Sequence, residues 1–282
     1  MLKLIECPRD AMQGLHDYIP AKLKAEYINL LLKVGFDTID FGSFVSPKAV
    51  PQLRDTREVL DMLDLETSSS KLLAIVANLK GVEEAVKHDK ITYLGFPFSI
   101  SETFQQRNTN SSIAQSLNTV DQLLDACDKS HKTAVIYLSM AFGNPYGDDW
   151  SNEIAEHWTN ELVKTGARII SLADTTGVSS PENIKYLFPH LQNQFPGIEW
   201  GVHLHSTPDL AREKLEAAWD SGCRRFDSAL KGYGGCPMAS DSLTGNIATE
   251  GLISFLEERD VNPGLDMDKW NEALNFSSRI FN

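Results

Sequence analysis

The chain has 282 residues, 42% of them hydrophobic and 23% charged, enough to bury the core of one large domain or two small ones. A net charge of −13 argues against nucleic acid and anionic membrane surfaces as partners, and no apolar run approaches the roughly 18 residues of a membrane span. The opening residues read as neither a signal nor a transit peptide, and four scattered cysteines (Cys7, Cys127, Cys223, Cys236) without a CxxC read as reduced thiols of a cytoplasmic protein.

Taken in order, a short apolar strand is expected over residues 3–6. A helix follows, with Leu23, Tyr27, Leu30, Leu31 and Val34 on one stripe and Gly35 as its stop. Strands are expected at 38–41, 71–76 and 91–96, then a helix carrying Ile113, Leu117, Val120, Leu124 and Cys127. After a strand at 134–139, Ile154, Trp158 and Leu162 mark a helix closed by Gly166. A strand at 168–173 precedes Ser180-Pro181, a cap followed by proline at the first helical position. A strand at 199–205, a helix with Leu215, Ala218 and Trp219 ending at Gly222, and a strand at 224–228 complete the pattern. Eight β-then-α units without a linker predict a single-domain (β/α)8 TIM barrel, with a C-terminal helical extension over about 266–282. An open doubly wound sheet is the alternative, weakened because no GxGxxG follows the first strand.

In such barrels chemistry gathers at the carboxyl ends of the strands. Arg9 and Asp10 follow the first strand, Asp40 and Ser43 end the second, Asn78 follows the third and Glu102 lies beyond the fourth. Asp174 ends the sixth, His203 and His205 the seventh, and Cys236 and Asn246 lie in the loop after the eighth. His203-Leu204-His205 places two imidazoles on one strand face, inward if Val202 and Leu204 pack on the helices. Neutral imidazoles joined by the Asp10 carboxylate suit Mg²⁺, Mn²⁺ or Zn²⁺; without a metal they read as core histidines bonded to carbonyls. Arg9 has the permanent charge to stabilise an enolate oxygen, or forms a surface ion pair. Asp40 and Asp174 are candidates for orienting groups or exchanging protons, or for capping the next helix. Gly232-Tyr233-Gly234-Gly235-Cys236-Pro237 reads as a mobile loop with a proton-transferring thiol at its tip, or as a plain turn. Asn246 is most simply a turn or cap residue opening a helix.

Assembled, the sequence resembles the 3-hydroxy-3-methylglutaryl-CoA lyases of the DRE-TIM metallolyase superfamily, nearly end to end. The resemblance rests on Pro8-Arg9-Asp10-Ala11-Met12-Gln13, Ser43-Phe44-Val45-Ser46-Pro47-Lys48, Asn78-Leu79-Lys80-Gly81, Ser101-Glu102 and Arg107-Asn108. It continues through Asp174-Thr175-Thr176-Gly177-Val178, Val202-His203-Leu204-His205, Gly234-Gly235-Cys236-Pro237 and Gly245-Asn246-Ile247-Ala248-Thr249-Glu250. It implies a divalent cation, Mg²⁺ or Mn²⁺ with Zn²⁺ as an option, held by Asp10, His203, His205 and Asn246. It implies retro-Claisen cleavage of 3-hydroxy-3-methylglutaryl-CoA, or a similar 3-hydroxyacyl-CoA, to acetyl-CoA and acetoacetate. Arg9 would neutralise the enolate, Cys236 would deliver a proton and His203 would double in proton transfer. Asp40 and Asp174 complete the expected catalytic set, and Gln13, Ser43, Lys48, Asn78 and Arg107 are expected to bind substrate. A homodimer or other homo-oligomer is the expected assembly.

Four departures from the family pattern bear on substrate. Asp40 stands where Glu is common, Ser206 replaces an Asp after the second His, Asn144 replaces a Cys, and the loop between Cys236 and Asn246 is one residue longer. Because the net charge gives no global attraction for polyanionic CoA, Lys48 or Arg107 would have to supply it locally. A Claisen-type condensing enzyme or aldolase on the same barrel, and a non-catalytic cation- and CoA-binding barrel, are the competing functions.

Overall fold

Short apolar strands alternate with amphipathic helices, and the computed structural model, which describes residues 1–235, 238 and 244–281, sets out where each begins and ends. The first half runs β1 Lys3–Glu6, α1 Pro8–Gln13, α2 Ala21–Val34, β2 Thr38–Ser43, α3 Thr56–Asp61, β3 Lys71–Ile75, α4 Leu79–Ala85 and β4 Ile91–Ser99. It continues with α5 Glu102–Thr109, α6 Ile113–Lys129, β5 Thr133–Ser139, α7 Asn152–Thr165, β6 Ile169–Asp174 and α8 Pro181–Gln194. The last elements are β7 Glu199–Leu204, α9 Pro208–Asp220, β8 Arg225–Ser228, α10 Thr249–Glu257 and α11 Met267–Ser277.

All eight strands pair parallel in sequence order, and β8 returns to β1 from Lys3↔Arg225 to Glu6↔Ser228. That closure makes the fold a (β/α)8 barrel and removes the open-sheet alternative. Strand parity then sorts the side chains into two layers. One buried cluster, Leu73, Ile75, Tyr93, Val135, Tyr137 and Ile169, lies inside the barrel, separate from the larger core between strands and helices.

Local chemistry explains most boundaries. Gly35 ends α2 in the left-handed region (φ 95°), and Ser180 caps α8 by accepting from Asn183 N–H ahead of Pro181. Three details differ from the sequence pattern. The buried face of α2 is turned so that Leu23 and Leu30 are only half buried while Lys24 is buried, its ammonium bonded to Asp55 and the Gln52 carbonyl. Strand β4 runs past Phe96 to Ser99, because pairing with β3 ends at Gly95 and Pro97 lies in the stretch paired only with β5. Finally, α10 begins at Thr249 with Ala248 as its cap, so Asn246 does not open that helix. The C-terminal α11, capped by Asp266, packs on α2, where Tyr27 stacks on Phe276.

Candidate active site

A cavity of about 370 Å³ opens at the carboxyl ends of the strands, where barrel enzymes build their sites. Its β1 side comes from one short helix. Pro8, which needs no N–H at the first helical position, starts α1, and the helical spacing gathers Arg9, Asp10 and Gln13. Arg9 Nη1 donates to Asp10 Oδ1 (2.9 Å) and Gln13 Oε1 (3.0 Å), while Nε and Nη2 both donate to Asp40. A register shift between Asp40 and Gly42 in β2 lets both Asp40 and Ser43, of opposite parity, face inward.

Across the cavity, His203 and His205 present their Nε2 atoms to each other at 3.2 Å. Each ring is anchored at Nδ1, His203 on Asp227 Oδ2 (3.1 Å) and His205 on the Thr175 carbonyl (2.9 Å). Those acceptors assign the Nδ1–H tautomers, which leaves two Nε2 lone pairs directed at one another. Lone pairs so opposed need a proton or a cation between them. The Asp10 carboxylate completes the group: ligand atoms of Asp10, His203 and His205 all lie within 4.8 Å of one another, and all three residues are buried. The donor set, one hard carboxylate and two imidazoles, fits a divalent cation.

The protonation states follow the same geometry. Burial alone would raise the Asp10 carboxyl, but the Arg9 guanidinium, then the two imidazoles and the Asn246 amide, hold it well below the usual carboxylate range. His203 is depressed by burial yet raised overall by its bond to Asp227, whereas burial and the neighbouring His203 push His205 down to about 4. Burial lifts Asp40 to about 6 against the pull of Arg9. Cys7, His203 and Asp227 form a second close group, but burial and the carboxylates of Asp227, Asp40 and Asp10 raise the Cys7 thiol far above its ordinary value, making it a poor ligand.

Asn246 reaches the same carboxylate with its nitrogen: Nδ2 donates to Asp10 Oδ2 (2.6 Å) and to the Tyr233 carbonyl (2.8 Å). Gln13, Ser43, Asn78 and Arg107 line the cavity, and Asn78 also caps α4 by accepting from Gly81 N–H. Lys48 is exposed on the loop after β2, between cavity-lining Ser46 and Ala49 but not itself on the wall. Cys236 lies outside the described residues. Glu102 and Asp174 are not brought to the cavity. Glu102 accepts from the Ile113 N–H, and Asp174, on the outward parity of β6, pairs with Lys214 of α9 at 2.8 Å and accepts from Ser179. A proton-exchanging role for Asp174 therefore has no geometric support; it neither faces the cavity nor caps α8, which Ser180 does. Ser206 donates to the Thr207 carbonyl, and Asn144 folds the loop after β5 around Tyr146 and Asp148. Sequence reasoning passed over Asp227, Thr175 and Tyr137. Alternation along β8 was the available signal for Asp227, two residues beyond Arg225.

The HMGL-like family model matches residues 3–276. The chain belongs to the HMGL-like family. Over its full length it is 32% identical to a rat protein named 3-hydroxy-3-methylglutaryl-CoA lyase, cytoplasmic, covering 81% of that protein. It is 33% identical to the human mitochondrial hydroxymethylglutaryl-CoA lyase, again over its full length and 86% of the relative. The HMG-CoA lyase of Acinetobacter baumannii, solved in complex with coenzyme A and 3-methylmalate, matches with a TM-score of 0.91 at 31% identity, over 99% of this chain and 91% of that one. This HMGL-like chain is accordingly an enzyme of a lyase family. Among its described residues no helix is long and apolar enough to cross a membrane.

Proposed function

We propose that the protein is a divalent-cation-dependent lyase that cleaves 3-hydroxy-3-methylglutaryl-CoA, or a close 3-hydroxyacyl-CoA, to acetyl-CoA and acetoacetate. The observation that carries the reading is the meeting of Asp10, His203 and His205 beside Arg9 in the strand-end cavity. In this reading Asp10, His203 and His205 hold the cation, and Asn246 adds its carboxamide oxygen once it releases Asp10. When bound, the cation would polarise the tertiary hydroxyl and a carboxylate oxygen of the substrate.

The chain's own residues do the rest. The hydroxyl proton passes to a base at the cavity, with His203 serving in this step as a ligand because Asp227 holds its Nδ1–H and its Nε2 faces the cation site. The C2–C3 bond then breaks, its electron pair passing into the thioester as an enolate. The new carbonyl forms at C3 and leaves as acetoacetate. Arg9, held in place by Asp40 and Gln13, faces the cavity with a fixed positive charge for the enolate oxygen. Protonation of the enolate carbon by Cys236 completes acetyl-CoA. Arg107, lining the cavity beside Tyr146, and Lys48 on the adjoining loop supply positive charge for the CoA phosphates. The three described free thiols, all buried, suit the reducing cytoplasm.

The test is release of acetyl-CoA from 3-hydroxy-3-methylglutaryl-CoA after chelation, with and without added Mg²⁺ or Mn²⁺. The proposal expects turnover only with the cation. Turnover unaffected by chelation, or binding of Mn²⁺ and CoA esters without acetyl-CoA release, overturns it. Condensation of acetyl-CoA with a 2-oxo acid in place of cleavage would favour the related synthase chemistry.

A further inference from the structure

Below the two imidazoles the barrel interior is not filled by hydrocarbon alone. The registers Tyr137↔Ser171 and Ser171↔Gly201, with Val202↔Phe226 beyond, set Tyr137, Ser171, Gly201 and Arg225 side by side in one inward layer. His203 faces Asp227 in the layer above. Arg225 is 1% exposed, and a Cβ on Gly201 would stand 2.8 Å from its Cδ, so the glycine makes the space the arginine stem occupies.

That guanidinium is poorly paired. Its Nη1 reaches Glu199 Oε1 at 3.4 Å, while Nε and Nη2 have no protein partner. Tyr137 Oη, Ser171 Oγ and Asp227 Oδ1 are likewise buried without one. Leaving such groups dry is costly, most of all for the charged ones. Donors from Arg225, hydroxyls from Tyr137 and Ser171 and the free Asp227 oxygen provide the two to four partners an internal water needs. Among the charged groups around Arg225, Asp227 acts on it most strongly, ahead of Glu199. Asp227 is also the carboxylate that holds the His203 ring through its other oxygen.

We propose that Arg225 is a positioning residue for the cation site, tethering Asp227 through bridging water so that Asp227 keeps His203 aimed at Asp10 and His205. The inference rests on the reading of His203 as a cation ligand. It extends the site one layer down the barrel and gives Gly201 a purpose, since any larger residue there would push the arginine aside.

The test is calorimetric titration of chelator-treated full-length protein with Mn²⁺, alongside thermal unfolding. Arg225→Met is expected to weaken Mn²⁺ binding about tenfold, the lower edge of what directly bonded ligand partners contribute. Its Tm is expected to fall, because the substitution leaves the buried Asp227 without its neighbouring charge, so affinities are compared well below that Tm. Arg225→Lys, which keeps a charge and donors, is expected to recover affinity to within about threefold of wild type. Gly201→Ala alone is expected to weaken binding, and to add nothing in the Arg225→Met background. Should Arg225→Met fail to fold, Arg225→Lys and Gly201→Ala carry the test. Wild-type affinity in these variants, with affinity lost in His203→Ala, would overturn the role of Arg225 alone. Wild-type affinity in His203→Ala would overturn the cation reading beneath it.

Discussion

Two buried ion pairs sit on opposite faces of the same barrel wall. Inside, Asp40 of β2 holds Arg9 at the cavity; outside, Asp174 of β6 holds Lys214 of α9, which also donates to the carbonyls of Gly177 and His205. Both carboxylates are buried and both lie in barrel strands, so sequence position alone treats them alike. Parity separates them. Asp40 faces the interior next to a β-bulge, whereas Asp174 shares the outward register of Leu204. The inner pair presents charge to a substrate, and the outer pair ties the β6 and β7 ends to a helix.

Removing the cation from each pair should separate the two roles. Arg9→Gln, on the inside, is expected to lower kcat by about 10²–10³ or more, as loss of a preorganised oxyanion donor does, with Mn²⁺ affinity nearly unchanged. Steady-state kinetics and titration check this, and a mild loss of activity would remove the inner pair from the chemistry. Lys214→Met, on the outside, leaves Asp174 buried and unpaired. It is expected to cost about 3–5 kcal/mol of stability, read as a lowered Tm. A catalytic defect at unchanged Tm would contradict the scaffolding role.

Protonation gives smaller effects of the same two kinds. Inside, His203 has a raised pKa, so a proton competes with the cation there. Mn²⁺ affinity is expected to fall as pH drops through the raised His203 value, by up to about tenfold per unit. An affinity flat from pH 8 to 6 would argue against His203 as a ligand. Outside, Glu6 accepts from Leu230 N–H and the Thr249 hydroxyl, and burial lifts its pKa from 4.5 to about 8. The folded state therefore binds more protons than the unfolded one across that window, and stability falls as pH rises from about 4.5 to 8. Glu6→Gln should flatten that fall, measured as Tm against pH; an unchanged slope would place its origin elsewhere.

The barrel was legible because each strand is a short apolar run and most helices carry a stop or a cap, such as Gly35, Gly166 and Ser180. His203 and His205 were legible as a pair because alternate strand residues share a face. What stayed hidden depended on partners remote in sequence. No local pattern shows that Asn246 turns its amide to Asp10, or that Asp174 finds Lys214 on a helix 40 residues on. Lys24 broke the apolar stripe of α2 for the same reason, since its buried position depends on Asp55. Asp227 was within reach of the alternation rule, because it shares the inward face of β8 with Arg225, two residues before it.

The account stands on one cation shared by Asp10, His203 and His205. Anomalous diffraction from crystals grown with Mn²⁺ tests it most directly. A single peak is expected at about 2.0–2.4 Å from an Asp10 carboxylate oxygen and from the Nε2 atoms of both imidazoles. A crystal saturated with Mn²⁺ that shows no density there, or shows it only at other residues, would contradict the site.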